Sequence, residues 1–322
     1  MRGIAVTCLV TLSLCVAVPV RAAQNTLAIA DTPLFATALV AEAEGYYAAE
    51  GLDLKIIHCV NGKRCLKHLT DGEAQFATVA DTPIALAALA GAKFEILATI
   101  TTSSRENRFV ARVDRGIKSA ADLRGKRIGM VKGTSGHYFT DALLTYYGIP
   151  ISQVTLVPLD GADIAHALAR GDVDAAGMFN TGGFRAVKLL GSNALLIPYP
   201  KIYTFTGNVV SASNAAGISG DVALKLLRAL KRADTLMASQ AARARATLAK
   251  ALKVSNADVD ALWNDYDYAL TLAQPLITTL EAQTRWAMRE SLVAGGKMPD
   301  YLDYVQVGPL KSIDRRAVSI IK

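Results

Sequence analysis

Cysteine is scarce in this chain of 322 residues: there are 4, too few for a fold built on disulfides. Long apolar runs are equally rare. Beyond the first twenty residues none reaches the about 18 unbroken apolar residues of a membrane-crossing helix. Ile84–Ala92 stops at Lys93, and Leu189–Tyr199 is broken by Gly, Ser and Asn. Chemistry-bearing residues are thin as well. The four histidines, at 58, 68, 137 and 166, include no pair at i, i+4, so no helical metal pair is expected, and no cofactor is implied. No paired carboxylates stand in an evident acid–base setting. Ser135 and His137 are two apart on a helix start and diverge, so no catalytic residue is assigned. No basic–aromatic motif appears, which argues against nucleic acid as a partner. The cations from Lys225 to Lys253 alternate with Leu and Ala and read as a solvated helix face. What is present is 52% apolar residues and enough length for roughly two domains with cores of their own.

The N-terminus reads as an export signal over residues 1–22. Arg2 precedes an apolar run from Ile4 to Val18, and Val20 and Ala22 are small enough for cleavage before Ala23. Leu12-Ser-Leu-Cys15 is a weak candidate for a lipid-anchor site, but Leu14 stands where a small residue is required. Residues 1–22 hold two arginines and no acid, so the net charge falls from +7 to +5 without them. The mature chain is expected to be soluble and exported. Cys59 and Cys65 then remain. A zinc site with His58 or His68 would need four ligands at more regular spacing, and a disulfide closing a tight loop is expected instead.

Strands and helices alternate, and the pattern recurs at an offset of 99 residues. Leu34–Glu50 reads as a helix, Leu52–Ile57 as a strand, Gly62–Thr70 as a helix, Phe76–Ala80 as a strand and Thr82–Ala90 as a helix. The second copy runs through Arg127–Val131, Ser135–Tyr147, Val154–Val157, Gly161–Ala169 and Val173–Phe179. Asn61-Gly62 is matched by Asp160-Gly161, and Asp81-Thr82 by Asn180-Thr181. Two α/β lobes are expected, each a mostly parallel sheet flanked by helices, with a helical C-terminal region. Ligands of such sheets sit beyond the strands' carboxyl ends. Four strand-to-helix loops would therefore converge: Pro33–Phe35, Ala80–Pro83, Lys132–Tyr138 and Phe179–Gly183. Lys132-Gly-Thr-Ser-Gly-His-Tyr138 combines two glycines, two hydroxyls and a helix N-terminus, which suits a sulfonate, phosphate, nitrate or carboxylate as well as a plain helix cap. It lacks the Lys-Ser/Thr of a P-loop and the spacing of a nucleophile elbow. Asp81 and Asn180 read equally as helix caps or as cleft residues, and Asp81 in the cleft would favour a ligand with an amine or hydroxyl beside its anionic group. Phe35, Tyr138 and Phe179 could wall the cleft. Trp263 and Trp286 read as packing residues.

Several stretches occur in an order that resembles one family. They are Glu44-Gly-Tyr-Tyr-Ala-Ala-Glu-Gly-Leu-Asp-Leu54, Asp71-Gly-Glu-Ala-Gln-Phe-Ala77, Ala80-Asp-Thr-Pro83, Ile117–Gly129, Lys132–Tyr138 and Ala169–Ala176. The chain resembles periplasmic solute-binding proteins of the sulfonate/nitrate/taurine and thiamine-pyrimidine-precursor superfamily. The resemblance implies a two-lobed type II periplasmic-binding-protein fold. It divides the chain into a first lobe over 23–106, a second over 107–205, and a return to the first over 206–322. It implies a monomer that closes on a small-molecule ligand and delivers it to an ABC importer's permease with its ATPase, without catalysis. The expected ligand is a small anionic or zwitterionic solute; the alternatives are a neutral pyrimidine-like precursor, or a sensor's ligand reported to a membrane receptor. The expected binding residues are Leu34, Phe35, Asp81, Thr82, Gly133, Thr134, Ser135, Gly136, His137, Tyr138 and Asn180. Many relatives carry Trp, an acid, Pro and an aromatic where this chain has Phe179-Asn-Thr-Gly182, a departure that leaves the solute open.

Overall fold

Leu27-Ala-Ile-Ala30 is apolar at every position because it forms a strand covered on both faces, as parallel strands between helices are. The structure is a computed structural model that describes residues 24–213 and 220–322. The expected signal over 1–22, with its cut near Ala22 and with Cys8 and Cys15, lies outside the described residues. The first sheet starts with β1 (Asn25–Ala30), helices α1 (Ala36–Ala43) and α2 (Tyr46–Ala49), β2 (Leu54–Cys59) and α3 (Gly62–Thr70). It continues through β3 (Phe76–Ala80), α4 (Asp81–Leu89) and β4 (Phe94–Ser103). The single helix expected over Leu34–Glu50 is interrupted. A 3-10 turn spans Pro33–Phe35, and Gly45, at φ +69°, turns the chain between α1 and α2 in a conformation that suits a residue without Cβ.

The chain then enters a second sheet. Its elements are β5 (Asn107–Arg112), β6 (Arg127–Met130), α5 (Ser135–Tyr146), β7 (Thr155–Pro158), α6 (Ile164–Arg170), β8 (Ala175–Phe179), α7 (Asn180–Leu190) and β9 (Ala194–Leu196). The return brings β10 (Phe205–Ala212) into the first sheet. There follow α8 (Gly220–Ser239), α9 (Ala241–Leu252), α10 (Asn256–Trp263), β11 (Asp267–Thr271), α11 (Gln274–Arg289) and α12 (Val307–Ile313).

The strand orders are β11-β4-β10-β3-β1-β2 and β7-β6-β8-β5-β9. In the first sheet β2, β1 and β3 are parallel, as are β7, β6 and β8 in the second. The 99-residue recurrence therefore has a topological counterpart, with β1, β2 and β3 answering to β6, β7 and β8. Each set is bordered by an antiparallel strand next to a crossing: β10 on β3, β5 on β8. These strands make both sheets mixed, because a chain arriving from the opposite sheet enters pointing the other way.

The interior follows the same division. One apolar cluster joins residues of the first sheet to Leu226, Leu230, Leu248, Leu280 and Val305 of the C-terminal elements. In the second sheet β5 alternates, Phe109 and Ala111 facing the Phe139–Leu143 side, Val110 facing the Ile164–Leu168 side. Gly177 of β8 shows how closely α5 lies on this sheet: a Cβ there would come within 2.0 Å of Thr140 Oγ1, which donates to Gly136 O. The basic residues of α8 and α9 are not merely solvated. Arg232 pairs with Glu50, Arg243 with Glu44 and Arg245 with Asp260, tying the helices to their neighbours.

Cys59 and Cys65 form a disulfide between the end of β2 and the first turns of α3, which removes the zinc alternative. Closing so short a loop contributes about 2 kcal/mol by loop entropy. Replacing both cysteines by Ser is expected to lower stability by about that amount while leaving the far-ultraviolet circular dichroism unchanged, as read by urea denaturation.

Candidate ligand-binding site between the two sheets

The chain passes between the sheets twice, over residues 104–106 and 197–204, so the strand ends of both sheets face each other across one space. A small cavity lies there. Its walls come from both sheets. Thr32, Leu34 and Phe35 follow β1; Ala80 ends β3 and Pro83 follows it; Thr134 and Ser135 follow β6; and Phe179 ends β8. Those are the four loops expected from the repeat.

Two further contributions escaped the sequence reading. The first is the start of α3, Asn61-Gly62-Lys63. The Asn61 side chain accepts from Arg64 N and caps the helix, while the N–H groups of Gly62 and Lys63 have no partner among the described residues. Gly62 has to be glycine for α3 to sit this close: a Cβ would meet Ala80 N at 3.0 Å and Val79 Cα at 3.1 Å. The Asn-Gly pair was visible as punctuation of the repeat, and a helix start at the same sheet end as the other loops was the available signal. The second is Glu106, in the first crossing.

At the start of α5, Thr134 occupies the cap position, but its hydroxyl donates to Val131 O instead of accepting from the helix. Thr134 O takes the N–H of both His137 and Tyr138. The N–H groups of Ser135 and Gly136 remain without a partner among the described residues. Two helices, α3 and α5, thus open on one cavity with free N–H groups and the positive ends of their dipoles. Lys63 adds a charge there, and its Nζ donates to Lys132 O across the cleft at 3.0 Å. Burial and the neighbouring Arg64 and Lys132 lower its pKa.

The opposite character appears at Glu106. It is 4% exposed, and its Oε2 has no hydrogen-bond partner among the described residues. Burial pushes its pKa up to about 8, and Asp81 and Asp265 push the same way. The neighbouring Tyr266 hydroxyl offsets part of that shift.

The other expected residues lie around the cavity without lining it. Gly133, at φ +70°, packs under Lys63, and Gly136 lies against Asn107 and the Gly177 carbonyl. Asp81 and Thr82 are fully buried in the first turn of α4. Asp81 caps nothing in the ordinary way: its carboxylate accepts from its neighbour Thr82 N and, at 3.1 Å, from Thr206 N on β10. Burial raises its pKa to about 6. Asn180 is also fully buried, and donates to Asp265 at 2.8 Å while accepting from Arg108. His137 and Tyr138 turn toward α11, where both rings meet Trp286 edge-on at 5.0 and 5.2 Å. Burial depresses the His137 pKa to about 4, so the imidazole is neutral. Trp286 therefore packs, as expected, but it packs one sheet's helices onto the other's. Arg289–Asp141 and Arg108–Asp265 are further ties across the cleft.

Comparison with known proteins agrees with this architecture. Residues 32–244, more than half of the chain, match the NMT1/THI5-like family. The chain belongs to that family. Among its relatives, a binding protein of Brucella abortus (strain 2308) is 30% identical over 177 residues, 55% of this chain and 53% of that protein. The taurine-binding periplasmic protein of Escherichia coli (strain K12) is 31% identical over 140 residues, 43% of each chain. The matched region thus spans about half the length of these relatives or less. The alkanesulfonate-binding protein SsuA from Xanthomonas axonopodis pv. citri, solved bound to MOPS, superposes with a TM-score of 0.76 at 20% identity, over 88% of this chain and 98% of that one. The fold is the periplasmic-binding-protein fold. It also serves an enzyme: the desulfurization enzyme DSZB superposes with a TM-score of 0.64 at 18% identity, over 91% and 99% of the two chains.

Within this family member the buried acids make stability fall with pH. Glu106 and Asp81 bind protons more tightly folded than unfolded, where values near 4.5 and 3.8 apply. Their contribution is complete below those values and is lost as pH rises through about 6 for Asp81 and about 8 for Glu106. Without ligand, Glu106→Gln is expected to raise the melting temperature at pH 8 and to change it little at pH 5. Each kcal/mol is worth about 2–4 °C, and melting curves at the two pH values check it.

Proposed function

We propose that this protein is the periplasmic solute-binding component of an ABC importer, and that it captures a small anionic or zwitterionic organic solute of the sulfonate kind. The observation that carries this reading is the convergence of two helix N-termini, α3 and α5, with Lys63 on one cavity between two sheets. Free N–H groups at helix starts bind anions without needing a buried cation, and an oxyanion replaces the water those groups would otherwise hold. A taurine-binding relative and an alkanesulfonate-binding structural neighbour support the ligand class. The double crossing supports a first lobe of 23–106 and 206–322 and a second of 107–205, hinged at the crossings, with the cross-cleft contacts of Lys63 and Trp286 made on closure. The permease and its ATPase are the partners this role requires.

Catalysis finds little support at the cavity. His137, the nearest imidazole to α5's start, is buried against Trp286 and stays neutral, and the lining holds no nucleophile–base pair. A neutral aminopyrimidine is the second reading, favoured by Phe35 and Phe179 in the cavity wall and by the carboxyl of Glu106. A thermal-shift panel of alkanesulfonates, taurine, nitrate, carboxylates and aminopyrimidines separates the two. A ligand at a hundred times its dissociation constant adds about 2.7 kcal/mol. A sulfonate or carboxylate is expected to give that shift; a response to pyrimidines alone sinks the anion reading. For the anion that binds, Ser135→Ala and Lys63→Ala are each expected to weaken affinity by about 5- to 30-fold, measured by calorimetry, with little change in melting temperature.

A further inference from the structure

The two cysteines bracket the part of α3 that faces the cavity. Cys59 closes β2 and Cys65 lies in α3, and between them Asn61, Gly62 and Lys63 line the cavity. The main chain does little to hold this loop. Among the described residues no N–H from Val60 to Lys63 has a partner, and the first main-chain bonds of α3 run from Arg64 and Cys65 to Asn61 O. The Asn61 side chain bonds only to Arg64 N, inside the same loop. Val60, at 67% exposure, provides no apolar anchor. The strand before it, β2, is an edge strand paired with β1 alone.

Charge works against the loop as well. Lys63 and Arg64 share a groove at the cleft mouth with Lys132 of the second sheet, and both neighbours depress the Lys63 pKa. The acid in that groove, Asp160, accepts from Ala162 N. An empty site therefore pushes the start of α3 away from the second sheet. The bond to Cys65 opposes this, because that side chain is fully buried in the apolar cluster of the first sheet.

We propose that the Cys59–Cys65 disulfide is a positioning element of the ligand site, holding the start of α3 in its binding geometry before the solute arrives. This role rests on the anion-binding reading of that helix start and adds what keeps it in place. A loop that is already ordered loses less freedom when a ligand binds, so its pre-organisation is expressed as affinity. A disulfide that only stabilised the fold would leave affinity unchanged, since a modest loss of stability keeps nearly all molecules folded.

Calorimetry with ethanesulfonate separates the two roles, on the native protein, on Cys59→Ala/Cys65→Ala and on Leu248→Ala. Leu248 is fully buried in α9 and does not line the cavity, so its truncation destabilises the same core alone. The paired cysteine variant is expected to bind about tenfold more weakly, and Leu248→Ala to bind as the native protein does. In the paired variant the effect of Lys63→Ala is expected to shrink to about threefold or less, while Ser135→Ala keeps its full effect. A dithiol tests the native chain without substitution. It passes two electrons and two protons to the sulfurs, leaving two thiols and its own cyclic disulfide, and the same loss of affinity is expected, reversed on reoxidation. Native affinity in the paired variant or the reduced protein, an equal loss in Leu248→Ala, or an undiminished Lys63→Ala effect overturns the positioning role and leaves the anion reading standing. Failure of the native protein to bind ethanesulfonate overturns both.

Discussion

The first turn of an α-helix carries N–H groups that no residue of that helix can accept. In this protein α3 and α5 come from different sheets and leave such groups, at Gly62 and Lys63 and at Ser135, facing a common cavity. Water can satisfy them, and so can an oxyanion. The rest of the structure holds these two helix starts in place. The disulfide Cys59–Cys65 ties α3 to the end of β2, Gly62 lets its first turn rest on Val79 and Ala80, and Gly177 lets α5 lie on β8.

Electrostatics within the cavity are divided between the sheets and the crossing. The helix starts and Lys63 offer donors. Glu106 adds a buried carboxyl on the crossing, which burial keeps protonated up to a pH of about 8. The net charge of the chain has little part in it. Arg232, Arg243 and Arg245 of α8 and α9 pair with Glu50, Glu44 and Asp260, none of which lines the cavity.

Contacts across the cleft belong to the same arrangement. Lys63 reaches Lys132 O, Arg289 reaches Asp141, and Trp286 receives the rings of His137 and Tyr138. Residues at the start of α5 therefore serve two partners. Thr134 and Ser135 face the cavity, and two residues later His137 and Tyr138 face α11, as the 100° step of a helix requires. The loop motif was conspicuous in sequence, but its seven residues divide between binding surface and inter-sheet packing.

Much of the architecture was legible because it depends on local patterns. Apolar runs of strand length, glycines at helix ends and the recurrence at 99 residues indicated alternating strands and helices in two sheets, and the rule that ligands lie beyond strand ends named four loops that do border one cavity. The interruption at Gly45 was missed because a positive φ leaves no trace in hydrophobic periodicity. The directions of individual side chains were not legible either. Asp81 and Asn180 sit at equivalent strand ends and looked like caps, yet Asp81 bonds to β10 and Asn180 to Asp265, partners 125 and 85 residues away. Glu106 carried no motif at all. The sequence by itself determined which segments become helix starts, since capping and turn chemistry act over three or four residues. Only the tertiary structure decided which of those starts share a cavity and which acid remains without a counter-charge, because both depend on the two crossings that bring the sheets face to face.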